Sequence, residues 1–130
     1  MKRLTLAVIL SALSALAFAQ PFTSFKILSA AIATGAGATQ APLCSLRTFQ
    51  ATGTTSAGAG AAAIIIEGSN VAPSVDGTNV EWVTLGTITL TLATTKSGDG
   101  FVSHAPWRFV RARVSSISGT GASVDAYLGC

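Results

Sequence analysis

Histidine, acidic residues and cysteine are scarce in this sequence. The 130-residue chain has one histidine, five carboxylates and two cysteines. So few titratable groups leave little from which to build a general acid–base pair. His104 stands beside Ala105-Pro106, with no serine or cysteine placed for it to activate. Cys44, Cys130 and a lone histidine lack the paired short spacings of a zinc site. Asp76 and Asp99 each precede a glycine, but neither has the further oxygen donors of a calcium loop, so both read as turn residues. Gly98 and Gly100 are not followed by the lysine and helix of a phosphate loop. The expectation is a protein without catalytic residues, metal or cofactor.

Charge is sparse as well. Only 10% of residues are charged, and the mean hydropathy is positive. That excludes a highly charged disordered chain. The formal charge is +3, but two of the bases, Lys2 and Arg3, precede an apolar stretch. From residue 20 onward, Lys26, Arg47, Lys96, Arg108, Arg111 and Arg113 face Glu67, Asp76, Glu81, Asp99 and Asp125. So even a balance gives no concentrated basic face, and no nucleic-acid partner is expected.

Residues 1–19 stand apart from the rest. A basic start, an apolar run from Leu4 to Leu16 and the small-residue ending Ala17-Phe18-Ala19 form the pattern of a secretory leader cut after Ala19. The run falls short of the roughly 20 residues that span a bilayer, so no stable membrane insertion is expected. The other reading is an N-terminal arm retained in the mature protein. Two cysteines allow either one disulfide or two free thiols.

Residues 20–130 turn to Ala, Gly, Thr, Ser, Val and Ile, the vocabulary of strands and tight turns. The reading along the chain begins with a short strand from Phe22 to Leu28. An ambiguous Ala/Gly loop follows from Ala30 to Ala38, then a strand from Leu43 to Thr52 with Arg47, Phe49 and Ala51 on one face. Ala61 to Glu67 is continuously apolar before its final residue, which predicts a central or doubly buried strand. A long loop from Gly68 to Asn79 precedes strands at Val80–Leu85 and Thr87–Leu92, separated by Gly86 as a bulge or corner. Lys96 to Gly100 reads as a turn and Phe101 to Ser103 as a short strand. Trp107 to Ile117 reads as the longest strand, Ser118 to Gly121 as a hairpin turn and Ala122 to Leu128 as the last strand. About seven or eight short strands with turns every 8–12 residues or so predict an all-β fold. It is an antiparallel, jelly-roll-like β-sandwich forming one domain over 20–130.

Two stretches carry a resemblance. The first is Ile64-Ile-Ile-Glu67-Gly68-Ser69-Asn70, followed after a loop by Glu81-Trp82-Val-Thr-Leu85-Gly86. The second runs from Asp99-Gly-Phe101 through Ala105-Pro-Trp107-Arg-Phe-Val-Arg-Ala-Arg113 to Ser118-Gly-Thr-Gly121. Together they resemble small β-sandwich virion proteins of tailed bacteriophages, of the head decoration or cement type. They also resemble the strand phrasing of discoidin-like jelly rolls. The first resemblance implies a structural protein of the virion that binds the major capsid protein as a homo-oligomer. The second, joined to the leader-like segment, implies an exported bacterial binding module, periplasmic or secreted, with carbohydrate as a candidate ligand.

Aromatic and arginine side chains dominate the anchors of protein interfaces. Trp82, Trp107, Phe109, Arg111, Arg113 and Tyr127 are therefore the candidate partner contacts. Strand alternation groups Trp107, Phe109, Arg111 and Arg113 on one face, as an outward patch or as rings covered by arginine stems. Trp82 reads either as a contact or as a core aromatic.

Overall fold

A computed structural model describes residues 23–72 and 81–130. The leader-like segment, the cut after Ala19 and the turn at Pro73 and Asp76-Gly77 lie outside the described residues. The described residues form eight strands: β1 (Ser24–Ala31), β2 (Gly35–Ala36), β3 (Arg47–Thr54), β4 (Ala57–Ser69), β5 (Val83–Leu92), β6 (Ser97–Ser103), β7 (Phe109–Thr120) and β8 (Ser123–Gly129). Among the described residues there is no helix, and so none long and apolar enough to cross a membrane.

The strands form two four-stranded antiparallel sheets, β1-β8-β3-β6 and β2-β7-β4-β5. The pairs β1–β8, β2–β7, β3–β6 and β4–β5 nest inside one another. This is the order of a jelly roll: one long hairpin folded over into two layers. Only β4 and β5 are both consecutive and paired.

Alternation explains how the two layers meet. Along β3, β8 and the first half of β7 every second residue is buried: Phe49 and Ala51, then Val124, Ala126 and Leu128, and Val110, Ala112 and Val114, after which β7 shifts register against β4. Ile64 and Ile66 from β4 and Ile88, Leu90 and Leu92 from β5 fill the space opposite. The apolar run of β4 lies at the centre of its sheet, between β7 and β5, as its sequence predicts. Its intervening Ala63 and Ile65 face outward, half-buried.

Four local expectations change. Lys96–Gly100 is not a turn, because β6 begins at Ser97 and pairs residue for residue with β3, Gly98 opposite Thr52 and Gly100 opposite Gln50. The extended backbone at Gly100 requires glycine, because an added Cβ there would collide with the Phe49 carbonyl. Ser118–Gly121 is not a hairpin, since β7 and β8 belong to different sheets. Gly119 and Gly121, with φ of +115° and +60°, let the chain arch from one layer to the other. β7 starts at Phe109, so Trp107 precedes the alternation that was to place it beside Phe109. With 13 residues against 12, β4 rather than β7 is the longest strand.

Gly86 marks the bulge. Ile66 pairs with Gly86 and Glu67 with Thr84, leaving Leu85 as the extra residue. The absent side chain also admits Phe101 from the facing sheet, whose Cζ would lie 2.6 Å from a Cβ at Gly86. Phe101 in turn leans on Phe49, with ring centroids 5.5 Å apart. A Gly86→Ala substitution is expected to overpack this contact and cost about 1–3 kcal/mol of unfolding free energy, measured by urea denaturation.

Candidate interaction surface

Glu67 and the two arginines opposite it organise the outer face of the β2-β7-β4-β5 sheet. Glu67 is directly across from Arg111 in the β4–β7 register, and Arg113 lies one alternation further along. The Arg111 Nε donates to Glu67 Oε2 at 2.7 Å, and the Arg113 Nε donates to Oε1 at 3.0 Å. Both carboxylate oxygens are thereby engaged, and Glu67 is only 5% exposed despite facing outward. A carboxylate this covered is tolerable only because it is paired and hydrogen-bonded.

Trp82 completes the cluster. The Arg111 guanidinium lies over its ring, 4.1 Å from the centroid, a cation–π stack on the outer face. Trp82 is half-buried and stands outside the core cluster. Beside it, Arg108 lies 5.2 Å from the Phe109 ring, and its own N–H donates to Asn70 Oδ1 at 3.0 Å. Phe109 shares the outward alternation of Arg111 and Arg113, since Val110 and Ala112 between them are buried. Trp82, Phe109, Arg111 and Arg113 therefore belong to one face.

The other two candidates lie elsewhere. Trp107 packs against the core, its ring over Gly68, where a Cβ would lie 2.6 Å from Cγ. It caps the end of the sandwich and does not join the arginine face. Tyr127 is on the other sheet, opposite Lys26 and Gln50 in register, with the Lys26 Nζ 5.7 Å from its ring centroid.

Arg47 and Glu67 are the residues that a search for contacts passes over. Arg47 is 3% exposed and makes no ion pair among the described residues. Its Nε donates to the Cys44 carbonyl (3.1 Å), one terminal nitrogen to the Trp107 and Ala105 carbonyls (2.6 and 3.5 Å) and the other to the Pro42 carbonyl (3.1 Å). Burial pulls this guanidinium below its ordinary value, yet arginine stays charged at any physiological pH. The charge is solvated by backbone dipoles instead of by water. Its place on the buried face with Phe49 and Ala51 was the available signal, because an arginine in that position must find acceptors.

Next to Arg47, Cys44 and Cys130 form a disulfide with a Cα–Cα distance of 5.6 Å. This resolves the alternatives open in the sequence, since no cysteine is free. The loop that Cys44 anchors borders an open groove of about 480 Å³ between Pro42, Leu43, Pro106, Trp107 and Phe109. Leu43 is wholly exposed on its rim. His104 is exposed, and among the described residues no three His, Cys, Asp or Glu side chains converge.

On the other sheet, Lys26 Nζ lies 2.8 Å from Asp125 Oδ1, which also accepts the Ala30 N–H at 2.8 Å. Burial pushes the Asp125 carboxyl up, but the bonds from Lys26 and Ala30 outweigh it, with Lys96 adding its charge, and the net shift is downward. The bond to Asp125 in turn raises the Lys26 ammonium above its ordinary value.

No family model matches this chain, nor does any curated protein or solved structure.

Two outcomes follow from this geometry. Arg47→Met should cost about 2–4 kcal/mol in denaturant unfolding, because buried carbonyls lose their charged donor. Arg47→Lys should recover little of that, since an ammonium cannot reproduce the planar fork. The Asp125 carboxyl, held below its unfolded value, contributes stability above about pH 3.9 that is lost as pH falls through the lower folded value. Asp125→Asn should thus be less stable than wild type at pH 7 in thermal unfolding, with the gap narrowing as pH falls below about 3.9.

Proposed function

We propose that this protein is a bacteriophage virion structural protein, a capsid decoration (cement) protein that binds and reinforces the capsid shell. The observation that carries the reading is the face formed by Trp82, Phe109, Arg111 and Arg113 around the buried Glu67 carboxylate. Side chains already fixed by stacking and ion pairs lose little entropy when a partner covers them. They are also the residue types that carry interface energy. The surrounding surface supports the same reading: threonines and serines such as Thr84, Thr87, Thr89 and Ser116 give a broad, uncharged rim. A cement protein needs adhesion and rigidity and performs no reaction.

A second reading, an exported jelly-roll binding module with carbohydrate as a candidate ligand, is favoured by the Cys44–Cys130 disulfide together with the leader-like sequence of residues 1–19. Disulfides persist in oxidising surroundings, which include the secreted space as well as particle surfaces.

Purified particles separate the two. The virion reading expects the protein in stoichiometric amounts on particles, and Trp82→Ala with Arg111→Ala should lower its occupancy at least about tenfold while leaving the unfolding transition cooperative. Absence from particles, together with a mature chain beginning at Gln20 in periplasm or medium, would favour the exported module.

A further inference from the structure

A sheet has two edges, and an open edge offers unpaired backbone N–H and C=O groups to any passing strand. The two sheets present four edges: β1 and β6 on one, β2 and β5 on the other. Three of them carry obstacles to pairing. β1 has register shifts between Lys26 and Leu28 and between Leu28 and Ala31, and it places the charged Lys26 at the edge. β2 is two residues long. β6 carries Asp99 between two glycines.

β5 carries none of these. Its ten residues, Val83 to Leu92, include no charge and no proline. Beyond the bulge at Leu85, Gly86 to Leu92 run in unbroken register with β4, so the free side is regular as well. Among the described residues no strand pairs with that side. Thr87, Thr89 and Thr91 are exposed, and Ile88, Leu90 and Leu92 are buried.

We infer that β5 is a pairing edge and that its partner is β5 of a second copy of this chain, antiparallel about a two-fold axis at Thr89. The side-chain pattern is self-complementary about that residue. Antiparallel pairing sets Thr87 opposite the partner's Thr91 and Ile88 opposite the partner's Leu90, so threonine meets threonine and apolar meets apolar. The ends agree in charge. Glu81 precedes the strand and Lys96 follows it, both exposed. An antiparallel pair brings the acidic end of one copy to the basic end of the other, whereas a parallel pair would set like beside like. An uncharged strand also meets its own copy without repulsion. The result is one continuous eight-stranded sheet with an isologous interface. The inference rests on the function proposed above only for the homo-oligomer that the resemblance implies, and it names the surface through which copies join.

The test is sedimentation of the full chain across a concentration series. A monomer–dimer equilibrium is expected, with β5 amides exchanging hydrogen more slowly as concentration rises. Thr89→Lys and Thr89→Glu each set a charge against itself across the axis, and each should weaken dimerisation at least about tenfold. Mixing the two should restore the dimer, which also shows that both variants fold. Thr89→Cys, on the axis, should form a covalent dimer on mild oxidation, and Thr91→Cys, facing the partner's Thr87, should not. A protein monomeric at every concentration would overturn the inference, as would a dimer indifferent to Thr89→Lys. Dimers that ignore particles would leave this interface standing and remove the capsid role; particle-bound monomers would do the reverse.

Discussion

A positive charge buried without an acid sets the arrangement of one end of this molecule. Arg47 must be solvated, and the acceptors available to it are carbonyls of Pro42, Cys44, Ala105 and Trp107. These come from two loops far apart in sequence, so satisfying one guanidinium fixes both. The Trp107 carbonyl is held by Arg47 while its indole lies over Gly68, two residues before β7 begins. From Phe109 to Val114 the buried Val110, Ala112 and Val114 alternate with outward residues, so Arg111 and Arg113 share the outer face with Glu67.

The disulfide works on the same end. Cys44 belongs to the loop that supplies Arg47 with acceptors, and Cys130 follows the last strand. The Cys130 N–H also donates to the Thr23 carbonyl at 3.0 Å, so the described N-terminal residue, the C-terminus and the Arg47 loop are drawn together. Several kinds of restraint converge where a thin two-layer sandwich would otherwise fray.

Period-two alternation made much of the fold legible in the sequence. It grouped Arg47, Phe49 and Ala51 of β3 on one face and Phe109, Arg111 and Arg113 of β7 on another, and the apolar run of β4 pointed to a central or doubly buried strand, which lies between β7 and β5. Glycine was the weak point, because its composition signals turns while its lack of a side chain also serves close backbone approach. Gly98 and Gly100 therefore looked like a turn and are strand, and the Gly119–Gly121 arch looked like a hairpin. At the candidate surface the arginines were visible, but their organiser was not. Glu67 ends an apolar run, and nothing local shows that Arg111 and Arg113, more than forty positions on, both bind its carboxylate. Trp107 was misplaced because alternation was extended two residues past the true start of the strand.

The nested order of the strands has a consequence for how the polypeptide reaches this shape. Only β4 and β5 are both neighbours in sequence and partners in the sheet, so closing any other pair means closing a longer loop first. Assembly is therefore cheapest from the middle outward, and the dependence on distant contacts makes it slow for a chain of this size. During synthesis the pairing of β1 with β8 must wait until β8, far along the chain, has left the ribosome.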